Sequence, residues 1–213
     1  MPEIKQIWLD FDGTLTHETD EYRRAHDQYA AKLFAKLVGL TEEDNYVDIY
    51  VEHRKREGLN TKVFENIAGQ SKGYWAKKHM EWDNALLYDY DDHADIRNFL
   101  VSLAKGSIPI SIFTNTSRAR LQKTMKHLGY SQDHFIHLVS GEDVPEMKPS
   151  VLAYKTIINM SGLPPENNLY VGDRISADII PAKAAGMHTI LVGGESDEAD
   201  YCMASIVDIT SVI

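Results

Sequence analysis

The feature that most constrains this chain is an alternation of two patterns. Short apolar runs rich in β-branched and aromatic residues occur at Ile4 to Phe11, Ile108 to Thr114, Phe135 to Ser140, Leu169 to Val171 and Thr189 to Val192. Stretches with helical periodicity lie between the later runs, at Ala94 to Lys105, Ser117 to Leu128, Ser150 to Met160 and Ser176 to Ala185. Runs of this kind read as buried strands. Strands that alternate with helices favour a mostly parallel sheet covered on both faces, because a parallel connection needs a crossover. The predicted fold is α/β, a doubly wound parallel sheet. Gly129, Gly162 and Gly186 follow their helices closely, where a left-handed C-terminal cap is expected.

The alternation breaks between the first strand and Ala94. From about Glu21 to Leu87 apolar residues keep helical spacing, as in Tyr29, Leu33 and Leu37 or Phe64 and Ile67, with no strand pattern. A helical insert of about 70 residues is too long for a simple crossover. The expected organisation is an α/β core formed by residues 1–16 and 93–213, interrupted by a helical cap at 17–92. Linkers are expected near Thr16 to Asp20 and near Tyr88 to His93.

Composition then narrows the class. At 213 residues with 43% hydrophobic and 25% charged side chains, the chain has the balance of a globular protein. The formal net charge of −10 would repel a nucleic-acid backbone, so no polymeric nucleic-acid partner is expected. A small anionic ligand would need local positive charge, from a metal or a placed lysine. No apolar run approaches the roughly 18 residues that span a bilayer, so no membrane partner is expected. The first residues lack a basic segment leading into a long apolar stretch, and the lone Cys202 excludes an internal disulfide framework and reads as structural. Cytoplasmic residence is the expectation; oligomeric state is not legible.

In an open parallel sheet, ligands gather outside the carboxyl ends of the strands. The informative polar residues fall there: Asp10 and Asp12 after the first strand, Thr114 and Asn115 after Ile108 to Phe113, Asp173 and Asp178 after Val171, and Lys148 before the helix near Ser150. Simpler readings of the pieces fare less well together. An EF-hand needs a third ligand position before its glycine, whereas Gly13 follows Asp12 directly. A lone Asp is most often a helix cap or turn former, and an isolated Lys148 would read as a surface lysine. The histidines, among them His26, His53, His79, His93 and His127, show no zinc-helix spacing and read as surface or half-buried residues. Gly193-Gly194 lacks the lysine of a P-loop, and Arg54-Lys55-Arg56 reads as a solvated helix face.

Taken together, Asp10-Phe11-Asp12-Gly13-Thr14-Leu15, Ile112-Phe113-Thr114-Asn115, Lys148-Pro149 and Gly172-Asp173 with Asp178 resemble the ordered motifs of the haloacid dehalogenase superfamily, in its phosphatase branch. The resemblance covers nearly the whole chain. It implies a Rossmann-like core and hydrolysis of small phosphate monoesters with Mg2+ as cofactor. Asp10 is then the nucleophile that forms an aspartyl-phosphate. Asp12 is the general acid and base. Thr114, Asn115 and Lys148 bind the phosphate, with Lys148 also neutralising the nucleophile. The metal would rest on Asp10, the Asp12 carbonyl and Asp173, with Asp178 in support. Dehalogenases of the superfamily lack the second aspartate, because a halide leaves without a proton; Asp12 therefore favours phosphate esters. A phosphomutase, a phosphonate hydrolase or a phosphate-binding module without turnover would use the same core. Nucleotides, sugar phosphates and phosphoglycolate all stay open as substrates.

Overall fold

The computed structural model of the protein describes residues 3–17, 19–85 and 93–211. Along the chain, β1 (Gln6–Leu9) is followed by α1 (Asp20–Val38), α2 (Tyr46–Glu57), α3 (Asn60–Lys62), which runs into a π-helical turn at Val63–Ile67, and α4 (Tyr74–Ala85). Then come α5 (Ala94–Ala104), β2 (Ile110–Phe113), α6 (Arg118–Leu128), β3 (Leu138–Val139), α7 (Val151–Ser161), β4 (Asn168–Gly172), a second π-helical turn at Ile175–Ile179, α8 (Ile180–Ala184), β5 (His188–Val192) and β6 (Tyr201–Met203). The chain divides into two compact units, Met1–His17 with Asp91–Ile213, and Glu18–Tyr90.

In the first unit six parallel strands lie in the order β3-β2-β1-β4-β5-β6. This is the doubly wound order, and its direction reverses between β1 and β4. The central strands read as unbroken apolar runs because both faces are covered: Ile7, Trp8 and Leu9 in β1 and Leu169, Tyr170 and Val171 in β4 are fully buried. On one face Trp8, Phe113 and Tyr170 pack with Ala153, Tyr154 and Ile157 of α7 and with Ala182 and Met187. Trp8 donates from its indole to the Asn168 side chain at 3.1 Å, so even the polar edge of that ring is satisfied.

Some elements depart from the sequence reading. The helix expected at Ser176 to Ala185 is a π-helical turn followed by the short α8. Pro181 has no N–H to return to the carbonyl four residues back, and that Ala177 carbonyl instead accepts the Tyr154 hydroxyl at 2.5 Å. The run Phe135 to Ser140 forms a regular strand only at Leu138–Val139. The edge strand β6 lacks a legible apolar run and was not expected. Cys202 lies exposed on it, its thiol donating to Ser196 O at 3.5 Å.

Among the described residues the second unit is all helical. Thr19 caps α1 by accepting from the Tyr22 N–H, and Gly39 closes it in the left-handed region. Ala30, Ala31, Phe34, Tyr50, Val63, Phe64 and Trp75 form its core. The buried stripe of α1 is thus one residue away from Leu33 and Leu37, which flank it partly buried. His79 is buried in this unit, stacked on Trp75 at 5.0 Å, and His93 is buried in the first unit, where its Nε2 accepts the His17 N–H at 3.1 Å. Ring packing and hydrogen bonding place these two in the interior, contrary to the reading of the histidines as surface or half-buried. Arg54 pairs with Asp27 at 2.8 Å. The expected linker segments include residues 18 and 88–92, which lie outside the described residues. Among the described residues, no helix is long and apolar enough to cross a membrane.

Candidate active site

The reversal of strand order brings the carboxyl ends of β1, β2 and β4 together, and the singled-out polar residues sit on these ends. Asp10 continues the sheet for one residue, its N–H donating to Val171 O at 2.8 Å. The chain then turns sharply: the Leu15 and Thr16 N–H groups both return to Phe11 O, and the Tyr130 hydroxyl donates to Leu15 O at 2.7 Å. Gly13 has φ +92°, and a Cβ there would stand 2.4 Å from Asp173 Oδ2. Gly172 is as confined, since a Cβ would stand 2.6 Å from the Asp178 Cβ. Each glycine therefore lets backbone approach a carboxylate side chain that a larger residue would displace.

Lys148 is fully buried, which rules out the surface-lysine reading. Its ammonium donates to Asp10 Oδ1 at 2.6 Å, Asp178 Oδ1 at 2.7 Å and the Tyr170 hydroxyl at 2.9 Å. Three N–H groups have three acceptors, so what Lys148 can offer a bound anion is charge rather than a spare donor. Its backbone is clamped by Asn115, whose side chain donates to Lys148 O at 2.8 Å and accepts from Lys148 N at 2.9 Å. The Asn115 carboxamide is thus occupied, and the group it can present to an anion is its backbone N–H. Thr114, 2% exposed, accepts the Thr116 N–H at 3.1 Å and keeps its hydroxyl proton to donate.

Asp178 is held from both sides, with Oδ2 accepting the Arg174 N–H at 3.0 Å while Oδ1 accepts Lys148. Asp173, by contrast, carries a buried Oδ1 with no hydrogen-bond partner. Asp10, Asp173 and Asp178 each present a ligand atom within 4.8 Å of the others. Oxygen-only donors around an unsatisfied buried carboxylate oxygen fit a hard divalent cation. Asp12 is set apart: its side chain is 34% exposed, with the Arg120 guanidinium 3.8 Å away. A partly exposed carboxylate two residues from a buried one offers two different chemical roles within a single turn.

The electrostatics follow from the crowding. Burial, reinforced by Asp178 and Asp173 and opposed by Lys148, pushes the Asp10 carboxyl up to about 8. Burial and Asp178 also raise Asp173. Burial works to lower Lys148, but Asp10 and Asp178 outweigh it and hold the ammonium above its ordinary value. In the absence of a cation the cluster therefore favours retaining a proton, and a divalent ion would take that proton's place.

Sequence reasoning thus pointed to residues that the fold brings together: Asp10, Lys148, Asp173 and Asp178 in one cluster and Thr114 and Asn115 at the end of β2, with Asp12 on the loop after β1. It missed Tyr170, which lies inside an apolar run and reads as core, and Arg120 and Arg174, which carry no motif.

The chain is similar to known proteins. A family model described as haloacid dehalogenase-like hydrolase matches residues 7–192. A phosphoglycolate phosphatase of Chromobacterium violaceum is 27% identical, with 98% of this chain and 96% of the relative covered, and one of Vibrio vulnificus is 25% identical over 86% and 81%. Among solved structures, a HAD phosphatase from Thermococcus onnurineus superposes with a TM-score of 0.68 at 19% identity, covering 98% of this chain and 97% of its own. The magnesium-bound HAD-hydrolase YfnB of Bacillus subtilis, whose structure reveals interdomain movement, gives 0.63 at 15% identity over 99% and 98%. Matched from within β1 to the end of β5, with its acidic cluster at the reversal of strand order, the chain belongs to the haloacid dehalogenase-like hydrolase family.

Proposed function

We propose that this chain is a magnesium-dependent phosphatase that hydrolyses small-molecule phosphate monoesters through an aspartyl-phosphate on Asp10. The observation that carries the reading is the buried Lys148 joining Asp10 to Asp178, next to the unpartnered Oδ1 of Asp173. A nucleophile, a fixed cation and a vacant oxygen donor in one cluster are what phosphoryl transfer asks for, since its catalysis is mostly positioning and charge neutralisation.

Asp10, Asp173 and the Asp12 carbonyl would hold Mg2+, with Asp178 in support. When bound, the metal supplies positive charge that offsets repulsion between the Asp10 carboxylate and an incoming phosphate. In the first step a carboxylate oxygen of Asp10 attacks phosphorus, the phosphorus–oxygen bond to the leaving group breaks, and Asp12 gives that alkoxide its proton. In the second, Asp12 takes a proton from water as the water oxygen attacks phosphorus, and the bond to Asp10 breaks to release inorganic phosphate. The Thr114 hydroxyl and the Asn115 N–H would bind phosphate oxygens, and Lys148 would balance the charge of nucleophile and phosphate.

The helical unit between β1 and α5 serves in this reading as a cap that excludes water and selects the leaving group. Support comes from its place in the chain, since it departs just after the Asp12 loop. A short loop in place of the cap should leave metal binding intact and reorder substrate preference. A cytoplasmic location, supported by the single free thiol, and a small-molecule rather than polymeric partner complete the reading. Because the relatives above bear the name phosphoglycolate phosphatase, 2-phosphoglycolate heads the substrates to test.

The experiment is hydrolysis of nitrophenyl phosphate with and without magnesium, followed by a screen of phosphate metabolites ranked by kcat/KM. Turnover that depends on the metal, with one metabolite well ahead, is the expected result. Absence of turnover on every ester with magnesium present would show a binding module instead.

A further inference from the structure

Behind the catalytic cluster, and out of reach of any substrate, lies a group that the mechanism has not yet used. Tyr170 is fully buried, yet its hydroxyl touches the site: it accepts one N–H of Lys148 at 2.9 Å and donates to Phe113 O at 3.1 Å. The placement follows from the pleat. Tyr170 is opposite Trp8 in the β1–β4 pairing, so both point to the face covered by α7, and Asp10, two residues beyond Trp8, follows the same side. Lys148 enters this layer from above α7, and its ammonium also lies 5.5 Å from the ring centroids of both Phe113 and Tyr170. The Tyr154 ring meets Tyr170 edge to face at 5.0 Å and fixes the phenol from the other side.

We propose that Tyr170 is a positioning residue for phosphoryl transfer: its hydroxyl takes the third N–H of Lys148 and ties that ammonium to the end of β2, so that the Asp10 carboxylate is presented in one orientation. The inference rests on Asp10 being the nucleophile. With only Asp10 and Asp178 as acceptors, one N–H of the buried ammonium would lack a partner, and turning about the Cε–Nζ bond to satisfy it would strain or break the bonds to the two carboxylates. The third acceptor removes that conflict. Because the Tyr170 proton points to the carbonyl just before Thr114, the same bond couples the cation to the strand end that carries the Thr114 hydroxyl. A tyrosine that merely filled space would do neither, and phenylalanine would replace it without loss of turnover.

Tyr170→Phe keeps the ring and deletes the hydroxyl. In a metal-dependent assay on nitrophenyl phosphate it should lower kcat about tenfold, as small misplacements of a reacting group do, and leave KM within about twofold. The same substitution in a Lys148→Ala background should leave the residual kcat within about twofold, because Tyr170 acts only through Lys148. Unchanged kcat in the single variant, or an equal loss in the Lys148→Ala background, would overturn the proposal.

A measurement without turnover guards against a variant that does not fold. In the wild-type protein with magnesium, the Lys148 ammonium, assigned by its disappearance in Lys148→Arg, should give a slowly exchanging 15N–1H signal with a contact to the Tyr170 hydroxyl proton. A rapidly exchanging or undetectable ammonium would sink the proposal. If the wild-type protein hydrolyses no phosphate ester, the proposed function fails, while this resonance still decides whether Tyr170 holds Lys148.

Discussion

Removing the buried cation should reveal how much the carboxylate cluster depends on it. Lys148→Ala deletes the donor bonded to Asp10 and Asp178, both almost fully buried, and leaves Arg174 Nε, 4.0 Å from Asp178 Oδ2, as a more distant cation. Breaking a buried ion pair by removing one partner costs about 3–5 kcal/mol. At about 2–4 °C per kcal/mol for a chain of this size, the melting temperature should fall by about 10 °C near pH 8 in chelator. Domains have about 5–15 kcal/mol to lose, so the variant should still be folded at room temperature.

The loss should also depend on pH, with a definite sign. Asp10 in the folded state holds its proton to about 8, against 3.8 for an unperturbed carboxyl. Between these values the folded state binds the extra proton, so this group's stabilising contribution is complete below about pH 4 and is lost as pH rises through about 8. Deleting Lys148 removes the main influence that lowers the Asp10 pKa, so the variant carries a heavier penalty on ionisation. The gap between wild type and variant should be small near pH 5 and widest near pH 8, and magnesium should restore part of it by supplying positive charge. Scanning calorimetry in chelator at both pH values, then with magnesium, measures each of these. Equal melting temperatures near pH 8, or a gap that ignores pH, would refute the view that Lys148 compensates the carboxylates. Turnover should fall by about two to three orders of magnitude in the same variant.

Further outcomes follow from individual residues. Asp10→Asn should abolish the phospho-enzyme, whereas Asp12→Asn should still be phosphorylated by nitrophenyl phosphate, whose leaving group needs little protonation, and should trap phosphate on Asp10; rapid-quench mass spectrometry finding phosphate on a serine, threonine or histidine would overturn the assignment. Gly13→Ala combines φ +92° with a Cβ 2.4 Å from Asp173 Oδ2, so it should fold but push Asp173 aside and weaken magnesium binding at least about tenfold by titration calorimetry; unchanged affinity would mean that Asp173 is not a ligand. Because magnesium must displace the proton held by Asp10, its apparent Kd should rise about tenfold for each pH unit below about 8, and a flat profile from pH 6 to 8 would count against Asp10 as a ligand.

Much of the candidate site was legible because its chemistry needs residue types that strand ends seldom combine. Carboxylates after β1 and β4, a Thr-Asn pair after β2 and a lysine before α7 stand out against apolar runs, and the known order of parallel sheets says that such ends converge. Tyr170 was illegible for the opposite reason. Within a stretch of buried apolar residues a tyrosine looks like packing, and only the 2.9 Å contact with Lys148 distinguishes its hydroxyl. Asn115 was visible as a site residue, but its engagement of the Lys148 backbone depends on two loops meeting across 33 positions of sequence. The offset of the buried stripe on α1 has a similar cause, since periodicity marks an apolar side of a helix but not which row meets the neighbouring helices.

The sequence by itself determined the kind of sheet, the presence of a helical insertion and the chemical groups available, because periodicity and residue type are local properties that each segment carries wherever it folds. Tertiary structure alone decided that Lys148 is buried rather than solvated, that its N–H groups are all donated, that an oxygen of Asp173 is left without a partner, and that Asp12 stays partly exposed while Asp10 does not. These are properties of distance and desolvation between groups far apart in the chain. A carboxylate's pKa, a lysine's donors and a glycine's necessity are set by what the fold presses against them, and no single segment contains that information.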